Sequence, residues 1–247
     1  EVAALHEGIL RKRTARTLKT VKTAALPTTV PLVAPTKKVR ALTGPLIAST
    51  IPLAQEDPLA AIVHPEIEQQ HQDLTRKVLA AFPSSCQSKL TNFYVRYDDP
   101  LNRGAAGIGT IIMNGLLTKA RYVKLLAHES AHFWDLTCLV GTPNSGKSAF
   151  PDGALPTYND DPSVLFYSIS WISTDERRAN MDASAFVSAY APTNSFEDLA
   201  ETVAYFRLQP AAFRTRALTN PTLAAKLAWM DTYLPANAEL GTGSEWN

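Results

Sequence analysis

Apolar residues recur at helical spacing over most of the C-terminal three quarters of the chain, and at strand spacing in only a few places. In HPEIEQQHQDLTRKVLAAF, Ile67, Leu74, Val78, Leu79 and Phe82 fall on one helical face, with Pro65 in the first turn and Pro83 as the stop. NFYVRY (92–97) alternates as a strand does, and GIGTIIMN (107–114) reads as a second strand, richer in β-branched residues. Thr118 to Cys138 forms one long helical pattern in which Ala127 and Ala131 permit close packing. A polar, Gly/Pro-rich loop follows over 141–163, and SVLFYSISWIS (163–173) fits either a strand or a buried helix. Asn194 or Ser195 caps a helix running to about Arg207, and Pro210–Thr219 and Pro221–Tyr233 give two more. A helix, then strands, then a run of helices is the order of an α+β fold rather than a doubly wound sheet.

Residues 1–57 break from this pattern. A short basic helical stretch gives way to AALPTTVPLVAPTKKVRALTGPLIASTIPLAQEDP, where a proline every few residues favours extended chain. This segment is expected to be an arm, linker or pro-segment, with one domain spanning 58–247. The overall charge of +1 hides the same division: residues 1–40 carry nine Lys/Arg against two Glu, and the remainder carries fifteen against twenty-one Asp/Glu. A basic arm can bind nucleic acid, but this one has no aromatic residue to stack on bases and no recognition motif, so nucleic-acid binding is not expected. An apolar fraction of 45% supports a sizeable core, and no run of eighteen apolar residues offers a membrane span. The two cysteines, Cys86 and Cys138, fit one disulfide of an exported protein or two buried thiols. A chain opening at Glu1 fits a processed precursor or an artificially trimmed chain; the first of these, with the cysteine pair, favours a secreted or extracytoplasmic location. Oligomeric state leaves no mark.

Two chemical signatures lie side by side in AHESAHFWDLTCLVGTPNSGKSAF (127–150). GTPNSGKS matches the G-x-x-x-x-G-K-[ST] phosphate loop, which works by feeding a glycine-rich turn from a strand onto a helix N-terminus. Here the preceding element reads as a helix, and Pro151 would break any helix opening at Gly146. A nucleotide-binding protein is therefore the weakest of the readings. HESAH, in contrast, sits within a helical pattern, where positions i and i+4 share a face and can present two imidazoles to one ion. His128 and His132 become candidate zinc ligands, and Glu129 the candidate general base. Asp135 and Cys138 stand where a metzincin would need glycine and a third histidine, and the other histidines, His6, His64 and His71, all lie upstream. A carboxylate from a later helix is then the natural third ligand. SFEDLAETVAYF (195–206) supplies Glu197, Asp198 and Glu201, with Glu197 and Glu201 on one face among apolar neighbours, where carboxylates are costly without a partner.

HESAH followed by Tyr190, Glu197 and Glu201 resembles the gluzincin metallopeptidases of the anthrax lethal factor and Pro-Pro endopeptidase group, over roughly residues 90–207. The resemblance implies a zincin-like domain with a small sheet, a central HExxH helix and a mostly helical C-terminal part. It implies Zn2+ held by His128, His132 and Glu197, a supporting Glu201 that orients a ligating histidine, and a Tyr190 that assists the transition state. Asp135 competes with Glu201 for the orienting role. The expected activity is endopeptidase hydrolysis of a protein or peptide, with Glu129 taking the proton of a zinc-activated water. GIGTIIMN is the expected edge for an extended substrate. The rival from another class is a catalytically idle zinc-site protein used for binding, against which an intact Glu129 and Tyr190 argue.

Overall fold

The computed structural model describes residues 57–101, 103–235 and 237–240, so nearly all of the expected arm lies outside the described residues. The body is α+β, with seven α-helices and one three-stranded sheet. In chain order these are α1 (Gln69–Leu79), α2 (Ser84–Gln87), β1 (Asn92–Arg96), β2 (Gly104–Gly107), β3 (Thr110–Asn114), α3 (Lys119–Cys138), α4 (Pro162–Ser170), α5 (Ser195–Leu208), α6 (Pro210–Ala217) and α7 (Pro221–Tyr233). No helix among the described residues is long and apolar enough to cross a membrane.

The sheet corrects the strand reading. β3 lies in the centre, parallel to β1 and antiparallel to β2, in the order β1-β3-β2. GIGTIIMN is therefore not one strand and not an edge. Gly107 ends β2, Ile108 and Gly109 make a two-residue turn, and Thr110 starts β3. Gly109 has φ of 64°, a conformation that costs glycine little and an L side chain a good deal. Phe93, Ile111 and Ala106 align across the inner face, as do Val95, Met113 and Gly104. The edge strand nearest α3 is GAAG, whose composition carries no strand signal.

α3 begins where Thr118 accepts a hydrogen bond from the Arg121 N–H, and it runs twenty residues through the centre of the body. Its most extensive partner is α5. Ala127 packs against Ala204 and Leu208, so small side chains let the two backbones approach. Leu199 and Val203 are fully buried, each worth roughly 1.5–3 kcal/mol relative to exposure. α5 starts at Asn194, whose side chain accepts from the Glu197 N–H at 2.9 Å, and Pro210 follows its last turn. The ambiguous stretch 163–173 is helical as α4, with Asp161 capping Ser163 and Pro162 in the first turn. The first expected helix begins four residues later than its Pro65 start, because Ile67 closes a turn onto His64 before α1 opens. Cys86 and Cys138 are joined, tying α2 to the C-terminal end of α3. With a sequence separation of 52 between the half-cystines, the chain-entropy contribution is about 4 kcal/mol.

Two cations lie in the interior. The Arg207 guanidinium is fully buried and donates to the Ala238 and Val78 carbonyls and to Ser130 Oγ, linking α5 to α1, α3 and the C-terminal segment. Burial lowers its pKa to about 9. Lys226 of α7 donates to both oxygens of Asp198 at 2.7 Å and to the Ala185 carbonyl at 3.0 Å, while Trp171 donates to Asp198 at 3.0 Å. This network pins the turn of α5 that carries Glu197. Lys226→Met is expected to cost about 3–5 kcal/mol in urea denaturation, because Asp198 is left as a buried charge without a cation. Adding Asp198→Asn to that variant should recover a large part of the loss.

Candidate metal centre

One turn of α3 places His128 and His132 on the same face, directed at α5, as the i, i+4 spacing dictates. Across the interface stands Glu197, in the first turn of α5. The Nε2 atoms of His128 and His132 are 3.2 Å apart, and each is 3.2 Å from Glu197 Oε2. These three donors form the one group among the described residues arranged to hold a metal ion. Both histidines are buried, and Glu197 is half-buried.

His128 Nδ1 lies 2.8 Å from Glu201 Oε1, one turn further along α5. With that nitrogen donating its proton, the Nε2 of a neutral ring is a bare lone pair pointed at a carboxylate oxygen and another ring nitrogen. Such convergence is relieved by a positive charge at its centre, whether a bound cation or a proton on one of the rings. Burial opposes a charged His128, but the hydrogen bonds of Glu197 and Glu201 outweigh it and raise the pKa well above the ordinary imidazole value. Burial likewise opposes a charged Glu197, yet His132 and His128 hold that carboxyl well below the usual range. Glu201 is also lowered, burial notwithstanding, by His128 and Ser188.

Sequence reasoning missed Ser188. Its hydroxyl donates to Glu201 Oε2 at 2.6 Å and accepts the backbone N–H of Ala191 at 3.1 Å and of Tyr190 at 3.3 Å. One serine thus joins the turn bearing Tyr190 to the carboxylate that orients His128. No motif announces it, since a serine two residues before a tyrosine is an ordinary loop pair. Ser188→Ala is expected to weaken metal affinity about tenfold, the lower end of what lost supporting hydrogen bonds cost. Competition against a chromophoric chelator would measure it.

Tyr190 packs against the histidine pair, its ring centroid 6.0 Å from that of His128. Burial and the Glu197 carboxylate push its hydroxyl far above the ordinary phenol range, so it stays protonated and able to donate. Glu129 is buried beside the cluster, its carboxylate against β2 at Gly104. Asp135 does not take the orienting role at His128. It accepts a hydrogen bond from Tyr167, and burial pushes its carboxyl up to about 6. His71 is buried against Tyr97 and Tyr122, and His64 is exposed beside Glu66, both away from the cluster.

GTPNSGKS folds without a phosphate cradle. Pro143–Ser145 is a short 3-10 turn, and no α-helix follows it before Pro162. The Asp160 carboxylate sits inside the loop, accepting from Ser145 Oγ and Thr142 Oγ1 at 2.6 Å and from the Thr142 N–H at 2.7 Å. Those donors lower its pKa to about 2. A fixed negative charge occupies the place where a phosphate would need donors. No family model, curated protein or solved structure matches this chain.

Proposed function

We propose that the protein is a zinc-dependent endopeptidase of gluzincin type, built on a zincin-like domain. The observation that carries the reading is the triangle of donors. Tetrahedral zinc with ligands at about 2.0–2.1 Å has ligand–ligand edges of about 3.3 Å, and the three edges here are 3.2 Å. Two imidazoles and one carboxylate are also the donor set of hydrolytic zinc sites that keep a position open.

When bound, zinc supplies Lewis acidity and brings the pKa of a water toward neutrality. Glu129 takes the proton of the attacking water and returns it to the leaving amine. Tyr190 donates a hydrogen bond to the oxygen that gains charge as the carbonyl is attacked, worth about 3 kcal/mol for donors of this kind. Glu201 holds His128 in the tautomer that leaves Nε2 unprotonated, and Ser188 holds Glu201. β2, the edge strand beside α3, takes the place first given to GIGTIIMN as the strand on which an extended peptide pairs. A disulfide at the end of the catalytic helix fits an oxidising, extracytoplasmic compartment.

The test is zinc per chain by elemental analysis, followed by cleavage of a degenerate peptide library by the zinc-loaded protein. About one zinc and chelator-sensitive cleavage support the reading. One zinc with no cleavage of any peptide would make the site a binding or structural one.

A further inference from the structure

Gly104 lies within β2, paired with Met113, and its φ is not among the positive values of the chain. The backbone there suits any residue, and glycine weakens a strand. Space explains the choice. A Cβ built at Gly104 would fall 2.9 Å from Glu129 Oε1 and 3.1 Å from both Glu129 Cγ and Leu125 Cδ2. The backbone of the edge strand has therefore come into contact with the carboxylate next to the first histidine of the cluster. Gly107 occupies the other end of the same strand, and a Cβ there would meet nothing within 4 Å.

We propose that Gly104 is a positioning residue for Glu129: its bare backbone forms the wall that sets where the general-base carboxylate lies between the metal cluster and the edge strand. This rests on the peptidase reading and adds a residue that neither the HExxH motif nor the ligand set contains. The nearest obstructing atom is Oε1 of Glu129, the far end of a flexible side chain, and the other two belong to the side chains of Glu129 and Leu125, so an added methyl is accommodated chiefly by moving the carboxylate rather than by unfolding the strand. The metal ligands lie on other residues and keep their places.

The experiment compares Gly104→Ala with Gly107→Ala in the zinc-loaded protein, each with and without Glu129→Ala. Gly104→Ala is expected to retain about one zinc per chain, to leave KM within a few-fold, and to lower kcat about 100-fold, as a displacement near 1 Å of a reacting group does. Its thermal midpoint falls by roughly 3 °C through overpacking. Most of that fall disappears in the Glu129→Ala background, because the obstructing carboxylate is gone. Gly107→Ala, where a Cβ meets nothing, shows the same midpoint in relation to its parent with and without Glu129→Ala. The assignment is overturned if Gly104→Ala and Gly107→Ala show the same thermal coupling to Glu129→Ala, if the midpoint shift of Gly104→Ala is the same in both backgrounds, or if its kcat is unchanged in an active protein. A wild type that cleaves no peptide but keeps the thermal coupling removes the peptidase reading, while the contact between Gly104 and Glu129 stands.

Discussion

Glu129→Gln is expected to lower peptide hydrolysis about a thousandfold or more while the zinc content stays near one per chain. General acid–base catalysis is typically worth 10²–10⁴-fold, and in the proposed mechanism this one carboxylate serves both directions of proton transfer. Glutamine keeps the shape of the side chain, which matters because Glu129 is buried between α3 and the backbone of β2. A smaller residue would confuse lost chemistry with a packing defect. The amide can still hydrogen-bond water but cannot take its proton at any accessible pH. The residues that could hold a metal are His128, His132 and Glu197, so binding of an ion there is not at stake. Single-turnover cleavage of a fluorogenic peptide alongside metal analysis separates the two effects. Hydrolysis within tenfold of wild type would mean that a different group accepts the proton.

The parts of this site that could be read from the chain are those set by helical periodicity. His128 and His132 share a face because of the spacing i, i+4, and Glu197 and Glu201 share one for the same reason. Two helices with matching stripes of small residues were then enough to bring the faces together. What escaped lies in segments without a period. Ser188 acts through a turn whose hydrogen bonds depend on where α5 stands relative to that turn, a tertiary relation. Gly104 belongs to a strand made of glycine and alanine, which carries no strand signal of its own and is fixed by pairing with Met113 and the neighbouring residues of β3. GIGTIIMN failed for a related reason. Its β-branched residues mark a strand correctly, but the bend at Gly109 turns on a backbone φ that the apolar pattern does not encode. The phosphate-loop match shows the converse case, where the letters fit and the elements on either side do not.

Glu197→Ala should have the second large effect, on the metal itself. Removing one of three protein donors leaves two imidazoles on one helix, and affinity should fall by two to three orders of magnitude, given that even supporting hydrogen bonds to ligands are worth about 10–100-fold. Glu201→Gln gives the contrast. Its partner His128 remains in place and can still reach the ion through Nε2, so affinity should fall by only about 10–100-fold, with the zinc retained at excess. Thermal unfolding with and without zinc reads the same difference without any substrate. Zinc at about a thousand times its Kd adds about 4 kcal/mol of stability, roughly 8–16 °C for a body of this size. The wild type should show that shift, Glu201→Gln a smaller one, and Glu197→Ala the smallest, about 1.4 kcal/mol or less at the same zinc concentration. If Glu197→Ala kept the full shift and Glu201→Gln lost it, the carboxylate ligand would be Glu201, and the pairing of Glu201 with His128 would have to break for it to reach the ion.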